Sequence, residues 1–134
     1  MPLRYLLDTN ICIYIAKQRP PKLAERFASL ASGSVAMSLV TFGELRFGAE
    51  KSTRRDESLV TLERLTELIP VLDLNAAVGE AYGSLRAKLE KAGTPIGNND
   101  LWIAAHALSL GVTLVSNNTG EFARVPGLAL ENWA

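Results

Sequence analysis

Apolar residues along this chain follow two alternating patterns, one of short continuous runs and one with a helical period. Continuous runs without polar interruption are typical of strands buried on both faces of a parallel sheet. The first of these runs ends at Leu7 and is followed directly by Asp8. The runs that predict strands cover 5–7, 35–37, 71–72, 112–115 and 128–130.

The stretches between these runs have apolar residues three or four positions apart, which predicts amphipathic helices. The predicted helices cover 11–16, 22–30, 39–50, 76–91 and 101–108, and another ends at Pro70. Alternation of strands and helices predicts an α/β fold, with a parallel sheet covered by helices on its faces. With 134 residues, the chain fits one domain over 1–134.

Three carboxylates stand at positions where this topology could bring them together. Asp8 follows the first strand, Asp100 lies in the first turn of a central helix, and Glu44 lies on one line with Val40 and Phe47. Glu44 is therefore expected to interrupt an apolar stripe, and an inward carboxylate is costly unless it is compensated. Each acid also has a purely structural explanation: a helix cap at Asp8, the helix dipole at Asp100, and a salt bridge at Glu44.

Composition excludes several classes of function. Fourteen basic residues balance fourteen acidic ones, so a strongly basic nucleic-acid coat is excluded, although a local basic patch is not. The one cysteine, Cys12, cannot form an internal disulfide and is expected to be buried in a reduced protein. No apolar run approaches a membrane span, and the start of the chain lacks the features of a signal peptide, so we expect a cytoplasmic protein.

Three acids in one cleft would raise one another's pKa unless a cation neutralised them. No lysine or arginine stands in the three local motifs. Oxygen ligands without histidine or cysteine favour Mg²⁺, or Mn²⁺ in its place. Such an ion assists phosphodiester hydrolysis. The one histidine, His106, is expected to be a packed or surface residue and not to act in catalysis.

Several motifs resemble those of the PIN-domain toxins of the VapC type. They are Leu7-Asp8-Thr9-Asn10, the Glu44 helix, the segment 97–107 that begins Gly97-Asn98-Asn99-Asp100, and Val115-Ser116-Asn117-Asn118. The resemblance covers the whole chain. It implies a three-layer sandwich around a mostly parallel sheet of four to five strands. It also implies a Mg²⁺-dependent endoribonuclease from a bacterial toxin–antitoxin pair.

The family's first three acidic positions fall on Asp8, Glu44 and Asp100, which the resemblance implies are the metal ligands. Where the family often has a fourth acid, this chain has Asn118, which can position a water molecule but adds no charge. Asn118 is therefore a fourth catalytic candidate, one metal ion is the safer expectation, and Glu121 is a possible substitute for the missing acid.

The resemblance also implies the partners: an RNA substrate, a VapB-type antitoxin, a homodimer, and a toxin–antitoxin hetero-oligomer. The substrate is expected to be tRNA, with initiator tRNA as one candidate. A basic side chain of the antitoxin is expected to enter the acidic cleft. Two alternatives remain open: a PIN-fold module that binds RNA or protein without cutting, and a phosphatase or receiver-like domain that uses Asp8.

Overall fold

A five-stranded sheet forms the centre of the computed structural model, which describes residues 2–134. The strand order is β3-β2-β1-β4-β5, and every neighbouring pair is parallel. The strands are β1 (Tyr5–Leu7), β2 (Val35–Ser38), β3 (Val71–Leu72), β4 (Thr113–Val115) and β5 (Leu130–Glu131). The predicted α/β class is confirmed, and the predicted mostly parallel sheet of four to five strands has five strands, all of them parallel.

Seven helices flank the sheet in the described part of the chain. They are α1 (Thr9–Lys17), α2 (Pro21–Ala28), α3 (Leu39–Glu50), α4 (Arg55–Leu68), α5 (Ala76–Lys91), α6 (Asn98–Leu110) and α7 (Thr119–Phe122). None of the helices formed by residues 2–134 has the length and apolarity that crossing a lipid bilayer requires.

Strand β1 separates two hydrophobic clusters, because successive side chains of a strand point to opposite faces. Leu7 packs into a cluster with α1 and α4, while Leu6 packs into the other with α5 and α6. Both leucines are fully buried. The absence of alternation in this run therefore reflects a strand covered by helices on both faces.

Local sequence signals place the ends of several helices. Asn75 caps α5 by accepting a hydrogen bond from the Val78 N–H, and Gly111 ends α6 in the left-handed conformation at φ 66°. Such caps satisfy backbone groups that a helix leaves unpaired at its ends. They fix where α5 begins and where α6 ends.

Two expectations from the sequence are wrong, and one short helix is not predicted by it. Phe47 does not face inward with Val40 but is 64% exposed. The last strand is Leu130–Glu131, one to two residues later than predicted, and the short helix α7 was not anticipated. Single apolar residues and four-residue helices give little periodic signal, which explains these differences.

Candidate active site

Asp8 lies at the carboxyl edge of the sheet, between β1 and α1. Its backbone N–H donates to the Val115 carbonyl at 2.9 Å, which continues the β1–β4 pairing by one residue. Its carboxylate caps α1 by accepting from the Thr9 N–H at 2.8 Å. Asp8 therefore both caps α1 and lies where a ligand could bind, because the cap fixes its carboxylate at the carboxyl edge of the sheet.

Ser116 supports Asp8 from the neighbouring strand end. Its hydroxyl donates to Asp8 Oδ2 at 2.7 Å and accepts from the Asn118 N–H at 2.9 Å. Both Ser116 and Asp8 are buried. A buried hydroxyl that both donates and accepts fixes the carboxylate and the turn after β4 in one arrangement.

Glu44 reaches the same edge from α3. Its Oε1 accepts a hydrogen bond from the Thr9 hydroxyl at 2.8 Å, and the residue is half-buried. Thr9 is thus bonded to Glu44 and adjacent to Asp8, so the first two predicted acids share one neighbour. The prediction that Glu44 turns away from open solvent is borne out by this half-burial, although Phe47 of the same helix is exposed.

Asp100, Glu121 and Asn118 form the other side of the cleft. The Asn118 amide lies 3.1 Å from Glu121 Oε2 and 3.4 Å from Asp100 Oδ2. Glu121 Oε1 accepts from the Gly97 N–H at 2.5 Å. A Cβ added to Gly97 would lie 3.4 Å from Glu121 and 3.9 Å from Asp100. Glu121 therefore belongs to this group of acids.

Burial is the main reason that the pKa of Asp8 lies above its usual value. Hydrogen bonds from Ser116 and Thr9 act against this rise, while the nearby charges of Glu44 and Glu121 add to it. These causes show that the Asp8 carboxylate lies in a partly desolvated site beside other carboxylates.

The pKa of Asp100 is raised to about 7, first by burial and then by the charges of Glu121, Asp8 and Glu44. Burial also acts to raise the pKa of Glu121, but hydrogen bonds from Gly97 and Asn118 outweigh it and lower that pKa. Asp100 is therefore about half protonated at pH 7, while Glu121 stays ionised. Such divergent pKa values mark groups that need a cation or a proton between them.

The donor set fits a hard divalent cation, because the described residues around the cleft offer carboxylate, amide and hydroxyl oxygens. None of the ion pairs in residues 2–134 involves Asp8, Glu44 or Asp100. However, no three histidine, cysteine or carboxylate side chains in the described chain converge tightly enough to form a ready-made ligand set. The predicted trio shares a cleft, and coordination would require its side chains to move inward.

Two residues of the site were missed or undervalued by sequence reasoning. Ser116 was noted only as part of a motif, and Glu121 was only a possible substitute. Their roles depend on tertiary contacts between β4, β1 and the loop before α6, for which the sequence pattern gives no signal. His106 is buried and contacts Ser38 through Nδ1 at 2.9 Å, as expected of a packed histidine.

The model of the PIN domain family matches residues 5–128 of the chain. The tRNA(fMet)-specific endonuclease VapC of Shigella flexneri is 45% identical over 132 residues, which is 98% of this chain and 99% of that protein. The chain belongs to the VapC family of PIN-domain proteins.

Solved VapC-family structures share the fold. The DNA-bound VapBC of Salmonella typhimurium matches with a TM-score of 0.93 and 39% identity over 98% of this chain and 99% of that one. VapBC2 of Rickettsia felis, bound to a DNA fragment from its promoter, matches with a TM-score of 0.91 and 38% identity over both full chains. The PIN-like fold predicted from the VapC motifs is therefore confirmed.

Proposed function

We propose that this VapC-family protein is a Mg²⁺-dependent endoribonuclease toxin that cuts tRNA in the cytoplasm and is inhibited by a VapB-type antitoxin. The observation that carries the proposal is the acidic cleft at the carboxyl edge of the sheet. Asp8, Glu44, Asp100 and Glu121 lie around it, and among residues 2–134 no cationic side chain forms an ion pair with Asp8, Glu44 or Asp100. In open α/β sheets, this edge is where ligands bind.

The chain's own residues hold the cleft in a defined arrangement. Ser116 and the Thr9 N–H fix the two oxygens of Asp8. Asn118 holds Glu121 through its amide, and its 3.4 Å contact orients Asp100. Asp100, with its pKa near 7, can hold or release a proton at neutral pH.

Asp8, Glu44 and Asp100 are the residues that would hold the metal ion, with Glu121 beside them. When bound, Mg²⁺ supplies Lewis-acid activation of a phosphoryl oxygen and lowers the pKa of a coordinated water. A polyanionic substrate would be repelled by these carboxylates alone, so the cation is also needed to admit the RNA backbone.

The choice of tRNA as substrate is supported by the relative from Shigella flexneri, which is named a tRNA(fMet)-specific endonuclease. Initiator tRNA is therefore the first substrate to test. Sequencing the 5′ ends of RNA fragments after brief expression in cells would identify the RNA and the bond that is cut.

A groove beside the acids supports the antitoxin partner. It is a cavity of about 580 Å³ between α1, α3 and α4, and its lining begins at Thr9 and Glu44 and continues over apolar residues such as Ile13, Leu45 and Leu62. An amphipathic segment of a VapB-type protein fits an apolar groove of this kind. Its basic side chain would then pair with the carboxylates at the end of the groove.

We also propose that the toxin is a homodimer within a toxin–antitoxin hetero-oligomer. Leu39 and Phe47 of α3 are 40% and 64% exposed. Large apolar side chains exposed on one helix favour burial against another chain.

The direct test is cleavage of purified tRNA by Asp8→Asn and Asp100→Asn variants with and without Mg²⁺. Each variant should lose most Mg²⁺-dependent cleavage, and Mn²⁺ but not Zn²⁺ should replace Mg²⁺ in the unaltered protein. The matched control is Asp73→Asn, because Asp73 also follows a strand but is exposed and lies outside the cleft. Full activity of either cleft variant would remove that residue from the catalytic site.

The alternative is a PIN-fold module that binds RNA or protein without efficient cleavage, and Asn118 at the usual fourth acidic position favours it. The position of Glu121 beside Asn118 weakens this alternative, because it returns a carboxylate to the same part of the cleft. Calorimetry with Mg²⁺ separates the two, since a non-cutting module of this kind would bind no ion at the cleft.

A further inference from the structure

A second cavity lies on the other side of the segment that carries Asp100. It has a volume of about 220 Å³ and lies between α5 and the loop 92–97. Its apolar lining consists of Leu89, Pro95, Ile96 and Leu101. The volume is smaller than the usual 300–1,000 Å³ of pockets for drug-sized ligands, so the cavity suits a single flat ring system.

The rim of this cavity is polar and ordered by hydrogen bonds. Arg86, Glu90 and Asn98 line it, and the Tyr82 hydroxyl joins two of them. It donates to Asn98 Oδ1 at 2.6 Å and accepts from Arg86 Nη1 at 3.0 Å. The Tyr82 ring is itself held by stacking on Trp102, with centroids 3.8 Å apart.

Consecutive residues of one segment line the cavity and contact the acidic cleft. Ile96 lines the cavity, the N–H of the next residue, Gly97, donates to Glu121 in the cleft, and Asn98 lines the cavity again. Asp100 follows in the same helical turn. A ligand in the cavity and a phosphate at the acids would thus be separated by little more than one loop.

We propose that this cavity binds one unpaired nucleobase of the RNA substrate, next to the phosphodiester that is cut. This inference rests on the proposed function, because it assumes an RNA substrate at the acids. It assigns substrate positioning to Arg86, Glu90 and the loop residues Pro95 and Ile96, which lie outside the acidic cleft.

The chemistry of the cavity matches that of a base. Unstacked RNA bases are bound by stacking on aromatic or guanidinium planes and by hydrogen bonds along their edges. Here the apolar floor covers the ring face, Arg86 supplies donors, and Glu90 supplies an acceptor. These two side chains now pair with each other at 2.8 Å and are both more than half exposed, so exchanging that pair for contacts to a base costs little.

The test uses the full protein and a series of RNA hairpins that contain the mapped cleavage site. Each hairpin carries one abasic nucleotide within three positions of the cut bond. In the unaltered protein, one abasic position should raise KM roughly tenfold with kcat changed much less, since one base contact is lost. The other abasic positions should have little effect.

Arg86→Ala should raise KM for the intact hairpin and remove the additional penalty at that abasic position. Non-additivity of this kind shows that the protein change and the RNA change remove the same contact. Ile96→Phe, which fills the cavity, should act in the same way. The matched control is Lys88→Ala on the same helix, which removes one exposed positive charge outside the cavity and should retain the full abasic penalty.

Equal KM values across the abasic series, or additive effects of Arg86→Ala and the abasic site, would overturn the inference. The inference would also be overturned if Arg86→Ala changed self-association or antitoxin affinity and left KM for the hairpins unchanged. If the unaltered protein cleaves no RNA, the proposed function fails. Fluorescence anisotropy with an abasic series of an initiator-tRNA hairpin, which needs no mapped cleavage site, then decides the base contact, and equal affinities across that series would overturn it.

Discussion

Replacement of Ser116 by alanine gives a sharp test of how Asp8 is held. The Ser116 hydroxyl is fully buried, donates to the Asp8 carboxylate at 2.7 Å and accepts from the Asn118 N–H at 2.9 Å. A hydrogen bond to a charged group is worth about 1.5–3 kcal/mol, and a buried N–H left without an acceptor adds to the loss. We expect Ser116→Ala to lower the free energy of unfolding by about 2–3 kcal/mol at neutral pH.

The loss should depend on pH in a defined direction. The folded-state pKa of Asp8 is raised above its usual value, because the folded protein favours the protonated form. The protein therefore loses stability as pH rises through that pKa and Asp8 becomes charged. The Ser116 bond lowers this pKa, and removing it raises the pKa further. The difference between variant and unaltered protein should therefore grow as pH rises through the folded-state pKa of Asp8, while the part of the loss that comes from the unpaired Asn118 N–H should stay the same at every pH.

The assay is urea unfolding at several pH values, compared with Ser34→Ala. Ser34 is equally buried, but its hydroxyl donates to a neutral carbonyl, that of Ala31, at 2.6 Å. Ser34→Ala should lower the free energy of unfolding by about 1 kcal/mol at every pH. In thermal unfolding, each kcal/mol corresponds to about 3–5 °C in a chain of this size. Equal, pH-independent losses in the two variants would refute the role assigned to Ser116.

Three further predictions concern other parts of the molecule. Because the pKa of Asp100 is about 7, Mg²⁺ binding should release about half a proton at pH 7, and the affinity for Mg²⁺ should rise as pH rises from about 6 to about 8. Calorimetry in buffers of different ionisation enthalpy measures the number of protons released, and an affinity that does not change with pH would contradict this prediction. Asn75→Ala removes the cap of α5 and should cost about 1 kcal/mol in urea unfolding, whereas Asn132→Ala in the C-terminal segment, outside any helix, should cost less. Phe47→Asp should shift light-scattering mass toward the monomer with little change in unfolding free energy, since the ring is 64% exposed; an unchanged mass would remove Phe47 from any interface.

Much of the fold could be predicted from the sequence, because the apolar runs and the helix-capping residues both indicate the elements that the structure contains. The uninterrupted run 5–7 predicted a doubly buried strand, and β1 is the central strand of the sheet. Asn75 and Gly111 carry turn and cap signals that hold in the structure. The direction of Phe47 could not be predicted, because a helix with glycines and small residues has a weakly defined apolar face.

The site was predictable only in part. Parallel topology brings strand ends to one edge, and this allowed Asp8 to be placed from its position alone. The bond from Thr9 to Glu44 and that from Gly97 to Glu121 join residues 35 and 24 positions apart. Contacts of this kind depend on how helices pack over the sheet, and a single sequence carries no pattern for them.

The sheet order has a consequence for how the protein is made. Strand β1 is synthesised before both of its partners, and one of them, β4, follows more than a hundred residues later. Pairing between such distant segments is slow, because a long loop must close first. Asp8 therefore remains without its Val115 and Ser116 contacts until β4 and the turn after it have been synthesised. The acidic cleft cannot assemble on the nascent chain before that point.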